Sequence, residues 1–554
     1  MNEPIRPSDI PAPATPGDAA AMPDAATPTA AQAQQARAAA RASGRLRVGS
    51  DLSGETALRC DVVVVGSGAG GAVTAAGLAE AGHDVLLLEE GGDHTRADFD
   101  LQEATAYPML YQDRGARSTA DMAMTVLQGR SVGGSTTVNW TTCYRTPERI
   151  LANWRAHHGL EALTEAELAP HFSAVERRLS IGTWPESAAN ANNRRLLEGA
   201  RKLGWQADST RRNVRGCANS GYCGVGCPVD GKQAMHVTFV PDLLRAGGRL
   251  IADCRVETVE VDASGRARGV VASVLDRQTG KPSGATVRVE AKVVVLSAGA
   301  INTPAVLLRS GISDGPVGRR TFLHPVVGMA GEYDEKIQGF YGAPQSIASH
   351  QFIDRGERYG FFLEAVPVQP MLIAFASGQF GTPLRQLMGR LDHLSVLIGL
   401  LVDGLDPAEP AGHVELDAHG RVRLHYPLGP AHAEAFAAMH DSLARLHLAA
   451  GAGGVTSLHL DPVVVRSEAD LPSLAAAPYG ALEHGIFTAH QMGGAAMGRD
   501  PARSVVRPDH RHHRVEGLYV VDGSVLPSAL GVNPSETIYG LAHRARGFVA
   551  EALR

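Results

Sequence analysis

The sequence predicts an α/β chain organised around a Rossmann-like dinucleotide-binding unit, with further domains beside it. Two observations carry this expectation. Residues 61–89, DVVVVGSGAGGAVTAAGLAEAGHDVLLLE, run in the order strand, glycine turn, helix, strand, acid. The chain has 554 residues, more than one hydrophobic core serves, so it divides into two or three domains.

Each part of the unit has a physical role. Val62 to Val65 form a short β-branched run of the kind found in buried parallel strands. Residues 66–71, GSGAGG, fit G-x-G-x-x-G. Gly66 allows the tight turn, Gly68 lets the backbone approach a pyrophosphate, and Gly71 lets the helix lie close on the strand. Ala69 and Gly70 open the helix, whose free N–H groups and positive dipole end suit phosphates. Gly82 ends the helix, and Val85 to Leu88 make the next strand. Glu89 follows at the distance where an acid accepts hydrogen bonds from a ribose.

Composition narrows the function. A formal net charge of −6 gives no reason to expect nucleic acid. No apolar run reaches the roughly 18 residues of a membrane span, and residues 394–405 come nearest. No basic-then-apolar leader and no twin-arginine motif opens the chain. Six cysteines are too few for a disulfide framework at this length, so a reducing, cytoplasmic compartment is expected. Peripheral attachment to a membrane is the alternative.

Residues 1–45 are rich in Ala, Pro, Thr and Gln and nearly free of large apolar side chains, which predicts a disordered tail. A transient helix over residues 32–45 is the one local signal. A second glycine-rich loop, GRSVGGSTTVNW, lies at 129–140.

Four stretches together resemble the glucose–methanol–choline (GMC) oxidoreductases: 66–89, 129–140, VVVLSAGAINTPAVLLRSGI at 293–312 and GLYVVDGSVLPSALGVNPSETI at 517–538. The resemblance spans nearly the whole chain in the family's order. It implies FAD as cofactor, a small-molecule alcohol as substrate, and oxygen or another electron acceptor. The implied fold joins an α/β FAD-binding domain to an α+β substrate domain built on an antiparallel sheet under helices. On this basis the FAD domain takes residues 56–150, 215–330 and 485–554, a helical insertion 151–214, and the substrate domain 331–484.

By the same resemblance, Gly66, Gly68, Ala69, Gly70, Gly71 and Glu89 would hold the ADP half of FAD. Arg130, Gly134, Ser135 and Asn139 would lie along the pyrophosphate and flavin. Val256 would meet adenine, Ala298 and Gly299 would approach from beneath, and Asp522 and Gly523 would contact the pyrophosphate or ribityl chain. Asn533 and Pro534 would sit at the flavin's pyrimidine side. With no histidine between His94 and His157, FAD is expected to be non-covalent. Residues 138–148, VNWTTCYRTPE, with TAHQMG at 488–493, are similar to the long-chain alcohol oxidase branch, which implies a bulky apolar substrate. The chain departs from that pattern after His490, where it reads QMGGAAMG.

Cys217, Cys223 and Cys227, spaced C-x5-C-x3-C, match the cysteine loop of cluster-bearing GMC dehydrogenase subunits. An iron–sulfur site there would make the chain a dehydrogenase feeding a quinone or cytochrome. A loop of reduced thiols with no metal is the preferred reading. A non-redox enzyme of hydroxynitrile-lyase type is a further alternative. Between residues 340 and 481 the motifs fall silent. Strands are expected at 358–368, 413–416 and 421–426, with a hairpin turn at 417–420 and a helix at 431–448. The apolar run 371–405 is expected to form core helices, and RPDHRHHR at 507–514 a solvated turn.

Asn533-Pro534-Ser535-Glu536 has the pattern of a helix start, with Asn533 as N-cap and Glu536 completing a capping box. The resemblance gives Asn533 and His490 a further role, His490 as the base for the substrate hydroxyl and Asn533 as the holder of its oxygen.

Overall fold

The structure, a computed structural model, describes residues 27–554. Its first layer is an eight-stranded sheet at the centre of the nucleotide-binding domain. Glu55–Val65 pairs in parallel with Val85–Leu88 on one side and with Pro282–Leu296 on the other. Leu518–Val520 joins Pro282–Leu296 in parallel, and Cys254–Val261 and Ala267–Leu275 extend the sheet antiparallel. The Val62–Val65 run is buried on both faces, as its unbroken apolar pattern requires. The helices Ala69–Glu80 and Ser535–Glu551 pack against one another over this sheet.

The second layer is a nine-stranded sheet whose main path is antiparallel. Val326–Glu332, Leu394–Val402 and Gly360–Ala365 form its centre. The alternation of side chains divides this sheet cleanly. Leu397, Leu401, Phe361 and Leu363 pack under the helices Ala191–Leu203 and Pro430–Ala449. Ile398, Leu400 and Phe362 face the opposite way, toward the nucleotide domain. The two domains therefore enclose a space between a parallel sheet edge and an antiparallel sheet face.

Three expectations differ from what is observed. Residues 1–26 of the expected tail lie outside the described residues, but Ala30–Ala42 is a helix and Leu46–Arg47 an edge strand. Thr29 caps that helix in a reciprocal box with Gln32. Its alanines Ala33, Ala36 and Ala40 are buried, small enough to lie close on the helix Phe239–Arg245. Arg37 is also buried, paired with Asp93 and donating to the His236 carbonyl. Alanine-rich composition concealed this contact because close approach, not side-chain volume, makes it.

The apolar run 371–405 is only half helical. Pro370–Ala376 and Gly381–Gly389 are short helices, but Leu394–Val402 is the fully buried central strand. A continuous apolar run has no period to separate the two readings. Finally, the turn at 507–514 is not solvated at its histidines. His510 and His512 are buried, and His510 Nδ1 pairs with the Val520 carbonyl at 2.9 Å.

Candidate active site

A cavity of about 860 Å³ lies between the two layers. Among the predicted positions, Gly66, Gly68, Ala69, Gly70, Glu89, Gly134, Ser135, Asn139, Val256, Ala298, Gly299, Asp522, Gly523, His490, Asn533 and Pro534 all line it. Residues far apart in sequence thus meet around one cavity. Two predicted positions do not reach it. Gly71 serves packing instead, because a Cβ there would meet the Gly66 carbonyl oxygen at 1.9 Å. Arg130 turns away and pairs with Glu90, 3.2 Å distant, and Glu90 is the cavity residue.

The nucleotide end is built from backbone. Gly66 has φ +97°, a conformation open to glycine, and a Cβ there would strike the Ser297 carbonyl. The helix Ala69–Glu80 starts at Gly68 with no side-chain cap, so its first N–H groups are left to the cavity. Glu89 is buried and accepts from the Ser67 N–H, the Ser67 hydroxyl and the Gly91 N–H. Burial nevertheless pushes its carboxyl up. Asp522 accepts from the Gly299 and Ser524 N–H groups and from the Thr303 hydroxyl, which ties the 299–303 turn to the 522–524 turn.

The other end carries the titratable groups. His490 follows the strand Phe487–Thr488 and projects onto the cavity wall. Its Nε2 lies 3.3 Å from Nδ2 of Asn533, and its Nδ1 lies 3.1 Å from Nδ1 of His324. Asn533 was expected to cap the last helix and does not. That helix runs Ser535–Glu551, Pro534 precedes it, and no side chain caps it. The Asn533 amide is committed to His490 instead. Glu536 makes no capping box either, because it turns inward to Arg211 at 3.1 Å. The uncapped helix start opens on the cavity through Asn533, Pro534 and Ser535.

The hydrogen bonds allow two arrangements of the protons, because both ends of the row are N–H donors. In one, the Gly531 N–H donates to Nε2 of His324, 3.2 Å away. Burial holds His324 far below the usual imidazole range, so it is neutral and its proton is on Nδ1. That proton goes to Nδ1 of His490. Burial lowers His490 to about 4, so this ring is also neutral; in this arrangement its proton is on Nε2, which faces the Asn533 amino group and loses that bond, whereas in the other Asn533 donates to Nε2 and the Gly531 bond is lost.

Sequence reasoning missed His324 and Glu364. Glu364 is fully buried on Gly360–Ala365, opposite Ile398. It accepts from Gln345 Nε2 at 2.5 Å, and its Oε1 has no partner among the described residues. Burial, offset only in part by hydrogen bonds from Asn533 and Gln345, pushes it up to about 8. The available signal was a lone acid inside the apolar run FFLEAV, and a lone histidine in FLHPVV.

The cysteine loop is a separate feature. Cys217, Cys223 and Cys227 are free thiols around a second, small cavity beside Lys232. Among the described residues their sulfurs are not gathered as a ligand set. Lys232 Nζ donates to the Thr137, Asn139 and Cys223 carbonyls, so it fastens this loop to the cavity wall.

The cavity fits a dinucleotide. It has the glycine cradle, an uncapped helix start for phosphates, and buried acceptors without partners at Asn139 Oδ1 and Asn533 Oδ1. Its volume lies at the upper end of the roughly 300–1,000 Å³ of small-molecule sites.

Comparison with known proteins agrees with this geometry. The GMC oxidoreductase family profile matches residues 107–326 and 408–542, and an NAD(P)-binding Rossmann-like domain matches residues 64–96. An uncharacterised GMC-type oxidoreductase of Mycobacterium tuberculosis is 33% identical over 508 residues, 91% of this chain and 78% of that protein. A long-chain-alcohol oxidase of Arabidopsis thaliana is 31% identical over 525 residues, 90% of this chain and 68% of that protein. Pyridoxine 4-oxidase from Mesorbium loti shares the fold with a TM-score of 0.66 at 18% identity, covering 88% of this chain and 98% of that one. Formate oxidase matches with the same TM-score at 16% identity, over 89% and 98% of the two chains. Nucleotide cradle, two-layer fold and matched regions agree, and the chain belongs to the GMC oxidoreductases as an FAD-dependent enzyme that oxidises alcohols.

Proposed function

We propose that this chain oxidises a bulky or long-chain apolar alcohol, with His490 and Asn533 holding the reacting hydroxyl. The observation that carries the reading is the 3.3 Å approach of the His490 ring to the Asn533 amide on the wall of the nucleotide cavity. Bound FAD would supply the hydride acceptor. The nucleotide would lie on Gly66 to Gly70 and Gly134, and the flavin end toward Asn139 and the start of the last helix. The neighbouring wall is apolar, with Val326, Ile398, Leu400, Phe487 and Ile538, which suits an aliphatic chain and excludes water. The relatives named as long-chain-alcohol oxidases support the same substrate class.

His490 is assigned the hydroxyl proton. To accept it at Nε2, the ring must carry its own proton on Nδ1 and donate it to His324. That arrangement exchanges the Gly531 bond for the Asn533 amide bond to Nε2, each worth about 1 kcal/mol net, so it stays within thermal reach. Asn533 holds the oxygen while the proton moves, and the uncapped helix start beyond it favours negative charge at that end. Glu364 offers a second reading. In the tautomer that keeps the Gly531 bond His490 donates through Nε2–H, and Glu364, about half ionised near pH 8, would be the proton acceptor.

The test is an anaerobic absorbance titration with alcohols of increasing chain length, followed by air. Bleaching by long-chain alcohols with prompt return in air and peroxide formation supports an alcohol oxidase. Bleaching that persists in air points to a quinone or cytochrome acceptor. No bleaching with any alcohol rejects the substrate class.

A further inference from the structure

We propose that His413, Glu415 and His425 form a divalent transition-metal site of the zinc class that clamps a β-hairpin against the cofactor cavity. The hairpin consists of Gly412–Leu416 and Val422–His425. In its register His413 lies directly opposite His425, and Glu415 lies two residues along on the same face. The two imidazoles stack at 4.6 Å with an interplanar angle of 8°, so one ring must turn about its Cβ–Cγ bond for both lone pairs to meet one ion. Glu415 reaches both, with Oε1 3.0 Å from Nε2 of His425 and Oε2 3.8 Å from Nε2 of His413.

One ligand atom from each residue lies within 4.8 Å of the other two, the one such set of three among the described residues. Zinc bonds of about 2.0–2.2 Å at a tetrahedral angle place ligand atoms about 3.3 Å apart. The observed 3.0 and 3.8 Å spacings bracket that value. Two imidazoles and one carboxylate suit zinc, nickel or copper and not the all-oxygen preference of calcium or magnesium. The histidines are half-buried and Glu415 is exposed, which leaves a fourth position to water. The adjacent cations do not occupy the site. Arg423, opposite Glu415, is 3.8 Å from Asp417, and Arg319 flanks His413 from the next strand.

Position gives the site a consequence. Residues 419–423, at the hairpin's tip, line the large cavity, and Arg309 donates to the Gly420 carbonyl there. At its base the hairpin pairs with Arg319–Phe322, which pairs with Met492–Gly493 just after His490. A metal across the two strands would hold the tip down and slow the escape of bound FAD.

The test uses the FAD-loaded enzyme titrated with zinc chloride by calorimetry, together with the rate of flavin release followed by fluorescence. One zinc per chain is expected. His413→Ala and His425→Ala should each weaken it roughly ten-fold or more, since each removes a zinc–nitrogen bond. Glu415→Gln, a surface change that cannot disturb folding through volume, should weaken it as well. Zinc should slow flavin release in the unaltered enzyme and not in His413→Ala. Absence of saturable zinc binding, or equal binding in the double histidine variant, overturns the site. Zinc binding without any change in flavin release overturns the clamp.

Discussion

Gly531 donates its backbone N–H to Nε2 of His324, and this bond governs the proton on His490, one residue further along the chain of hydrogen bonds. A backbone N–H cannot accept, so His324 must present a lone pair to it. The consequence passes through the Nδ1–Nδ1 contact: while the Gly531 bond is kept, Nε2 of His490 carries the proton, and when Asn533 donates to Nε2 the Gly531 bond is given up. A glycine peptide thereby tunes a ring that lines the cavity.

His490→Ala should retain FAD and lose turnover by about 10²–10⁴-fold, the range of a general base. Flavin absorbance and steady-state rates measured on the same preparation decide it. Turnover near that of the unaltered enzyme would remove His490 from the chemistry.

His324 acts through His490 and so is a positioning residue. His324→Gln can still accept from Nδ1 of His490 through its amide oxygen, whereas His324→Leu cannot. The Gln variant is expected to keep turnover within about ten-fold and the Leu variant to fall well below it, with its pH profile displaced. Equal rates for the two would show that the Nδ1 contact is only structural.

Glu364 and the buried histidines tilt stability in opposite directions. Between about pH 4.5 and about 8 the folded chain keeps the Glu364 proton and the unfolded chain does not, so this group makes stability fall as pH rises through that window. Glu364→Gln should therefore gain stability relative to the unaltered protein at pH 8 more than at pH 5. Urea midpoints at both values measure this, and an unchanged difference would mean that Glu364 ionises normally.

His350, His490 and His510 are each lowered to about 4 by burial, and His440 to about 3. From about pH 6.5 down to those values the unfolded chain binds the protons and the folded chain does not, so stability is lost on acidification across that window. The urea midpoint of Glu364→Gln, which lacks the opposing group, should drop steeply from pH 6.5 to pH 4.5. A flat profile would contradict the burial of these rings.

Gly70→Ala places a Cβ 1.7 Å from the Val521 carbonyl oxygen, where backbone meets backbone. The helix must move off the sheet, at a cost of about 1–3 kcal/mol. A lower melting temperature and loss of bound flavin on gel filtration are expected. Full flavin content would show that the helix start tolerates displacement.

The sequence alone determined the nucleotide unit, because glycine spacing, strand polarity and the acid at 89 are local rules that act within thirty residues or so. The resemblance of their motifs also singled out His490 and Asn533, and the structure brings the two side chains together at the cavity. Other features depended on the tertiary structure. The run 394–402 is a strand because it pairs with Val326–Glu332 and Gly360–Ala365, and an apolar run has no period to announce that. Ala30–Ala42 is ordered by a surface two hundred residues away. Asn533 forgoes its cap and meets His490, 43 residues away in sequence, instead. Glu364 and His324 become site residues only when two domains close over them, since burial and hydrogen-bond direction are properties of the assembled cavity and not of either segment.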